Sequence, residues 1–232
     1  MEHVTFQTQH PIAVDSPDHL YPTGTANDNS KNLAFVDEVL IWKSKPNVMD
    51  LGCAGGQYII DMFNKGCLAV GVEGSDYCLK NQKFNWPLYY NKVLFTGDIT
   101  KPYRVFNKNE QVKFDLITAW EVVEHIHKND LHQFFNNIAN NLKVGGIFYG
   151  SVASTTSVLS RVVEKHWKEA GIDRKVTLEE KDIDLHQSNY TKEEWLKTIL
   201  PEIFKEIPLE IIEPPFKGGV RQGSFKLSLR KT

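Results

Sequence analysis

Apolar residues along the chain recur in two kinds of segment that alternate. Short, almost continuous apolar runs, typical of strands buried on both faces, occur at 48–51, 68–73, 93–97, 114–120 and 147–152. Segments with apolar residues three and four positions apart, typical of amphipathic helices, lie at 33–42, 58–63 and 130–142. Strand runs that alternate with helices predict a parallel sheet with right-handed crossovers and helices on both faces.

The pattern changes after the fifth strand. Residues 153–190 do not continue the alternation, and a further helix is predicted from Thr191, which has the spacing of a capping box with Glu194. Two strands follow without a helix between them, at 209–212 and 224–229, so they are most simply antiparallel neighbours. The fold class predicted is α/β: a doubly wound, mostly parallel seven-stranded sheet with an antiparallel C-terminal hairpin.

Two polar stretches stand apart from this pattern. Residues 1–30 are rich in turn residues and are not expected to form a core element. They are either a loosely ordered leader or a flap over the active site, with His19 and Tyr21 touching ligand. Residues 101–113 are predicted to be an exposed connection. The domain prediction is a leader or flap at 1–30 and a single domain at 31–232.

Composition narrows the class of protein. The 232 residues are 41% hydrophobic and 24% charged, which is typical of a soluble globular protein. The net charge is −2 and Lys and Arg are not clustered, so a nucleic-acid substrate is not favoured. No apolar run approaches the roughly 20 residues of a membrane span, and residues 1–3 lack the start of a signal peptide. Three cysteines without zinc spacing indicate a reducing compartment, and we expect a cytoplasmic protein.

A turn of small residues, Gly52–Gly56, joins the first strand run to a helical pattern. Small residues let the backbone approach a ligand closely, and a helix start offers free N–H groups. The turn departs from the dinucleotide fingerprint, because Ala54 and Gln57 replace two of its glycines. The phosphate loop is also absent, since its lysine position holds Tyr58. Asp50 at the strand end repels pyrophosphate but suits a cationic amino-acid group.

Acidic residues also lie at the carboxyl ends of the other predicted strands. Glu73 comes 21 positions after Gly52, where an acid can accept both hydroxyls of a ribose. Asp98 ends the third strand, and Glu121 and His125 follow the fourth. If a helix begins at Glu121, the two side chains are four positions apart and share a face. A histidine beside a carboxylate is a candidate general base. Because parallel strands end at one edge of the sheet, these groups are predicted to converge.

The ordered set of Asp50 with its glycine turn, Glu73, Asp98 and the segment 121–125 (Glu-Val-Val-Glu-His) resembles the class I S-adenosylmethionine-dependent methyltransferases. More closely, it is similar to the small-molecule type, in which E-V-x-E-H follows strand four. The resemblance covers about residues 33–152 and, in outline, 191–232. It implies S-adenosylmethionine as cofactor, with the methionine moiety at the glycine turn, the ribose at Glu73 and the adenine at Asp98. The implied cofactor contacts are Asp50, Gly52, Cys53, Ala54, Gly56, Glu73, Gly74, Asp98, Ile99 and Glu121.

The acceptor is less defined. The resemblance implies a substrate lid at about 153–190, and the candidate substrate contacts are Tyr21, Arg161 and Tyr190. His125 and His186 are the candidate catalytic residues. A base is needed only where the acceptor must lose a proton, so the paired histidines favour a hydroxyl. We therefore expect O-methyl transfer to a small polar acceptor such as a sugar or glycan unit.

Alternatives stay open at this stage. His125 could be a structural residue that holds its loop over the cofactor. The protein could instead methylate RNA or protein, or bind S-adenosylmethionine without catalysis. Glu121, Glu124 and His127 could help to bind a divalent cation, but no spacing demands one, so no metal is predicted.

Overall fold

The computed structural model describes residues 4–20, 22, 26–30, 33–154, 186–218 and 224–232. The strands are β1 (Val4–Thr8), β2 (Val48–Leu51), β3 (Ala69–Glu73), β4 (Leu94–Thr96), β5 (Tyr103–Asn107), β6 (Glu110–Gln111), β7 (Phe114–Trp120), β8 (Leu142–Ala153), β9 (Leu209–Ile211) and β10 (Ser224–Lys231). The α-helices are Pro17–Leu20, Leu33–Trp42, Gln57–Asn64, Tyr77–Lys80, Trp86–Tyr89, Leu131–Asn141, Lys192–Glu194 and Leu200–Ile203. In the described part of the chain, no helix is long and apolar enough to cross a membrane.

Seven strands form the main sheet, in the order β4-β3-β2-β7-β8-β10-β9. The first five in that order pair in parallel, whereas β10 is antiparallel to both β8 and β9. The predicted fold, including the antiparallel C-terminal hairpin, is confirmed. Strand order reverses between β2 and β7, and ligands in sheets of this kind bind at the carboxyl ends of the strands that flank the reversal.

Alternate residues of the central strands pack into two separate apolar clusters. Met49 and Ile117 belong to one cluster, while their chain neighbours Val48 and Leu116 belong to the other. Since successive side chains of a strand point to opposite faces, both faces of the sheet are covered. This explains why the strand sequences are apolar at nearly every position.

A second sheet of three strands, β1-β5-β6, corrects two sequence-based expectations. Residues 101–113 are not a plain connection, because β5 and β6 pair within them. The expectation that residues 1–30 hold no core element is also wrong. Val4 of β1 is buried, and the ring of Phe6 lies 5.8 Å from that of Phe95 and 5.3 Å from that of Tyr103.

The helix predicted from Thr191 begins with the expected capping box, since the Thr191 hydroxyl accepts from the Glu194 N–H at 3.2 Å. It is not a uniform α-helix, because the turn Trp195–Ile199 is a π-helix. Pro201 lies just after that turn, and its ring nitrogen cannot donate to the carbonyl four residues earlier. The break in the helix therefore coincides with the proline.

Candidate active site

A cavity of about 520 Å³ opens at the carboxyl ends of β2, β3, β4 and β7. It brings together most of the residues singled out from the sequence. Those that line it are Gly52, Ala54, Glu73, Gly74, Asp98, Ile99, Glu121, His125 and His186. The predicted convergence of acidic strand ends on one crevice is what the geometry shows.

The glycine turn forms the floor of the cavity beside β7. Gly52 has φ +71°, and a β-carbon there would lie 2.5 Å from Cγ2 of Val122. Ala54 also lies in the left-handed region, with φ +48°, where glycine is the least strained residue. The alanine keeps this conformation with support from Trp86, whose indole N–H donates to the Ala54 carbonyl at 2.8 Å.

Glu73 is held by backbone groups on two sides. Its Oε2 accepts from the Ala54 N–H at 2.8 Å and its Oε1 from the Ser75 N–H at 3.2 Å. Burial, with the nearby charge of Asp18, raises the pKa of Glu73 to about 7, although these hydrogen bonds oppose the rise. Each carboxylate oxygen can accept a second hydrogen bond, so the side chain can also hold a pair of ligand hydroxyls.

Asp98 and Ile99 form the wall near β4. Asp98 Oδ1 accepts from the Thr100 N–H at 2.9 Å and from the Thr100 hydroxyl at 2.6 Å, which fixes the turn. Ile99 is mostly buried beside it and presents an apolar surface to the cavity. A carboxylate next to an apolar side chain suits a flat ring with an amino group at its edge.

Three of the predicted cofactor contacts do not line the cavity: Asp50, Cys53 and Gly56. Asp50 is fully buried beneath the turn, where its carboxylate accepts from Thr118 Oγ1 at 2.7 Å and Asn29 Nδ2 at 3.1 Å. Burial raises its pKa to about 7. The side chain therefore supports the glycine turn and the N-terminal segment from below.

The segment after β7 is not the helix considered in the sequence analysis. Glu121 has φ +56°, and one 3-10 turn, Val123–His125, follows. Glu121 Oε2 accepts from the Ser224 hydroxyl of β10 at 2.8 Å, whereas the buried Oε1 has no hydrogen-bond partner among the described residues. A strained backbone at Glu121 and an unpaired oxygen beside the cavity are features of functional sites.

Glu124, which the sequence analysis considered only as a possible cation ligand, also lines the cavity. It is buried, and its Oε1 accepts from the Ala153 N–H at 3.0 Å, while its Oε2 has no partner in the described part of the chain. Burial raises its pKa to about 7, even though the His125 charge opposes this. The backbone carbonyl of Glu124 accepts from the Ser188 N–H. This hydrogen bond ties the residues after 185 to the segment that follows β7.

His125 makes a short contact with the N-terminal segment. Its Nδ1 lies 3.0 Å from Oδ2 and 3.1 Å from Oδ1 of Asp18. Burial lowers the pKa of His125, but the charge and hydrogen bond of Asp18, with Glu124 and Glu121, outweigh it and raise the pKa to about 9. The ring of His186, which is also buried, lies 5.2 Å from the His125 ring. The two candidate catalytic histidines are thus adjacent.

The same corner could hold a metal ion. Glu124, His125 and His186 each offer a ligand atom, and these atoms lie within 4.8 Å of one another. The set differs from the one considered from the sequence, since neither Glu121 nor His127 belongs to it.

The predicted substrate contacts are not brought to the cavity by the described structure. Tyr21 and Arg161 lie outside the described residues, as does most of the predicted lid. Tyr190 does not line the cavity, and its ring packs edge-on against Trp195 at 5.1 Å. Sequence reasoning missed Asp18 and Trp120, which do line it. Asp18 carries no local signal, because its partner His125 is 107 positions away.

Comparisons with known proteins agree with this geometry. The sequence profile of a family described as a methyltransferase domain matches residues 26–195. The ubiquinone biosynthesis O-methyltransferase of Pelagibacter ubique is 29% identical over 109 residues, 47% of this chain and 42% of that protein. The chain spans about half the length of the curated relatives it matches.

Two solved structures share the fold over nearly the whole chain. A protein of Pyrococcus horikoshii OT3 has a TM-score of 0.56 at 17% identity, covering 93% of this chain and 98% of that one. An S-adenosylmethionine-dependent methyltransferase of Clostridium acetobutylicum ATCC 824 has a TM-score of 0.53 at 17% identity, covering 92% and 95%. At these identities the likeness concerns the fold alone. Because the family profile spans well over half of the sequence, the chain belongs to the methyltransferase domain family, of the class I type whose cofactor is S-adenosylmethionine.

Proposed function

We propose that this protein transfers the methyl group of S-adenosylmethionine to a hydroxyl of a small polar acceptor, such as a sugar or glycan unit. The observation that carries the proposal is the pair of adjacent histidines, His125 and His186, in the wall of the cavity that also holds Glu73 and Asp98. Cofactor-binding features and candidate bases thus share one cavity.

The lining residues fit the cofactor part by part. Glu73 receives the ribose hydroxyls, since backbone N–H groups already fix its two oxygens. Asp98 and Ile99 receive the adenine, while Gly52, Ala54 and Gly74 allow close approach of the backbone. When bound, the cofactor supplies a methyl group on a positively charged sulfur, which is already activated for transfer.

The acceptor side is formed by the post-β7 segment. Glu121 lines the cavity there and its Oε1 has no hydrogen-bond partner among the described residues, so Glu121, which the resemblance assigned to the cofactor, can instead accept from a hydroxyl of the acceptor. The protein aligns acceptor and methyl group, which is the larger part of catalysis in such a displacement.

His125 and His186 are the proposed proton acceptors. Although burial lowers it, the pair with Asp18 holds the pKa of His125 at about 9, so only the deprotonated fraction of the ring can take a proton, and the rate of transfer is expected to rise with pH towards that value. A hydroxyl needs this step, whereas an amine that is already neutral does not. O-methyl transfer also agrees with the function named for the Pelagibacter ubique relative.

A labelled-methyl screen tests the proposal. The protein is incubated with methyl-labelled S-adenosylmethionine and, separately, sugars, nucleotide sugars, hydroxylated aromatic compounds, RNA and protein extracts. Label on a hydroxyl of a small molecule, lost in His125→Ala or His186→Ala variants that still bind cofactor, supports it. Label only on RNA or protein, or binding without turnover on every pool, contradicts it.

A further inference from the structure

An N-terminal strap, which we define as the described part of residues 10–29, contributes to the lining of the cavity through Ala13, Asp15, Ser16, Pro17, Asp18 and Asn27. We infer that the Asp18–His125 ion pair holds this strap closed over the bound cofactor. The inference rests on the proposed function only in taking this cavity as the cofactor site.

The strap touches each loop that carries a proposed cofactor contact. The Asp98 N–H donates to the His10 carbonyl at 2.9 Å, and the Ala13 N–H donates to the Gly74 carbonyl at 2.9 Å. At its other end, the Gly55 N–H donates to the Asn27 carbonyl at 2.6 Å. The strap therefore spans the adenine, ribose and methionine regions.

Asp18 is the point at which the strap reaches the acceptor side. Its carboxylate contacts Nδ1 of His125 through both oxygens, and the two side chains are 22% and 12% exposed. Because a carboxylate only accepts, Nδ1 carries the proton, and Nε2 is the ring nitrogen left for another partner. The same contact thus fixes the ring and anchors the strap.

Other acids act on the same corner in the described part of the chain. Asp18 approaches Glu73 closely enough to raise the pKa of that carboxyl, and Glu121 and Glu124 also act on the same corner. His125 is the cation that compensates Asp18 there. Loss of the pair releases the strap at this point, and the cofactor loses its cover.

The test uses S-adenosylmethionine itself as the probe and needs no acceptor. Stopped-flow displacement measures the rate at which the cofactor leaves the wild type, Asp18→Asn, His125→Gln and the double variant. We expect Asp18→Asn to raise the dissociation rate by about ten-fold, as expected for loss of a partly buried charge pair. Asp18→Glu, which keeps the charge, gives a smaller rise. Asp37→Asn, on an exposed helix position, leaves the rate unchanged.

The double variant separates the effect of the Asp18–His125 pair from any other effect of Asp18 on the strap or the cofactor. If the pair acts as inferred, Asp18→Asn has no further effect once His125 is Gln. An unchanged rate in Asp18→Asn, or an undiminished effect in the His125→Gln background, overturns the inference. Since O-methyl transfer is tested separately by the screen, failure of one does not imply failure of the other.

Discussion

Three buried carboxyl groups lie in or beneath the cavity, and burial raises the pKa of each to about 7. They are Asp50, Glu73 and Glu124. An acid with a raised pKa stabilises the folded state below its unfolded pKa, and this contribution is lost as the pH rises through about 7. Without a bound cation the protein therefore loses stability as the pH rises from about 4 to about 7, and a bound cation offsets this loss.

We predict that cofactor affinity rises with pH for the same reason. The ionised carboxylates attract the positive sulfur, so the Kd for S-adenosylmethionine falls by up to about ten-fold between about pH 6 and about pH 8. Calorimetric titrations in buffers of different ionisation enthalpy measure the coupled protons, and we expect proton release near neutral pH. Proton uptake, or a Kd that does not vary with pH, contradicts this prediction.

Gly55 is predicted to be essential for the contact between turn and strap. A β-carbon there would lie 2.4 Å from the Asn27 carbonyl oxygen and 2.6 Å from the Asp28 Cα. Gly55→Ala therefore displaces the strap and weakens cofactor binding by about ten-fold, as expected when backbone must move. The control is Gly145→Ala, where φ is +75° but the space is open, so stability falls while the Kd is retained. Equal Kd values in both variants would falsify the proposed contact.

Single residues could be predicted from the sequence where they end a strand. Glu73 and Asp98 were found because parallel strands end at one edge of the sheet, and both line the cavity. Asp50 also ends a strand, but it points beneath the turn, and its neighbours Thr118 and Asn29 come from distant segments. Asp18 could not be predicted either, because its partner His125 lies 107 positions away along the chain.

At the scale of elements, one buried acid fastens several of them together. Asp115 at the start of β7 accepts from Lys43 Nζ at 2.7 Å, Lys143 Nζ at 2.9 Å and the Asn47 N–H at 2.8 Å. Burial alone raises the pKa of Asp115, but these hydrogen bonds outweigh it and lower the pKa below 3.8. This one side chain thus joins a helix end, the start of β2 and β8.

We predict that Asp115→Ala lowers the free energy of unfolding by about 2 kcal/mol. The expected loss is not larger because solvent screens the charges of both lysines, whose side chains are nearly half exposed. Denaturant unfolding measures the change. The stabilisation is present above the unfolded pKa and lost as the pH falls below it, so the two proteins converge in acid. Lys197→Ala, which removes an exposed pair, serves as control and leaves stability unchanged. If the denaturant midpoint of Asp115→Ala at neutral pH equals that of the wild type, the account is contradicted.

Elements with their own periodicity were predicted well, and those that depend on a distant partner were not. The helix Leu131–Asn141 and the hairpin of β9 and β10 follow directly from apolar spacing. In contrast, β5 is recognisable only together with β1, which supplies its partners from the other end of the chain, as in the pair Phe6 and Val105. The buried residues of β5, Tyr103 and Val105, are separated by the exposed Arg104, so no long apolar run marks the strand.

At the scale of the whole molecule, the strand order decides where the site lies. Strand order reverses between the parallel neighbours β2 and β7, which places the Gly52 turn beside the Glu121 segment. The proposed cofactor contacts after β2, β3 and β4 therefore lie in the same cavity as the proposed acceptor side, which is formed after β7 and after residue 185. The sequence predicts this arrangement because the order of strands and helices predicts the sheet, but it does not reveal how the N-terminal strap closes it.

The measurement that tests this account most directly is calorimetric titration of S-adenosylmethionine into the wild type and Glu73→Gln. Glu110→Gln, an exposed acid of β6, is the matched control. The account predicts that the wild type and the control bind alike and that Glu73→Gln binds at least about ten-fold more weakly, with its thermal midpoint retained, because hydrogen bonds to a charged group are lost. Equal affinity in all three proteins, or no binding by the wild type, would contradict it.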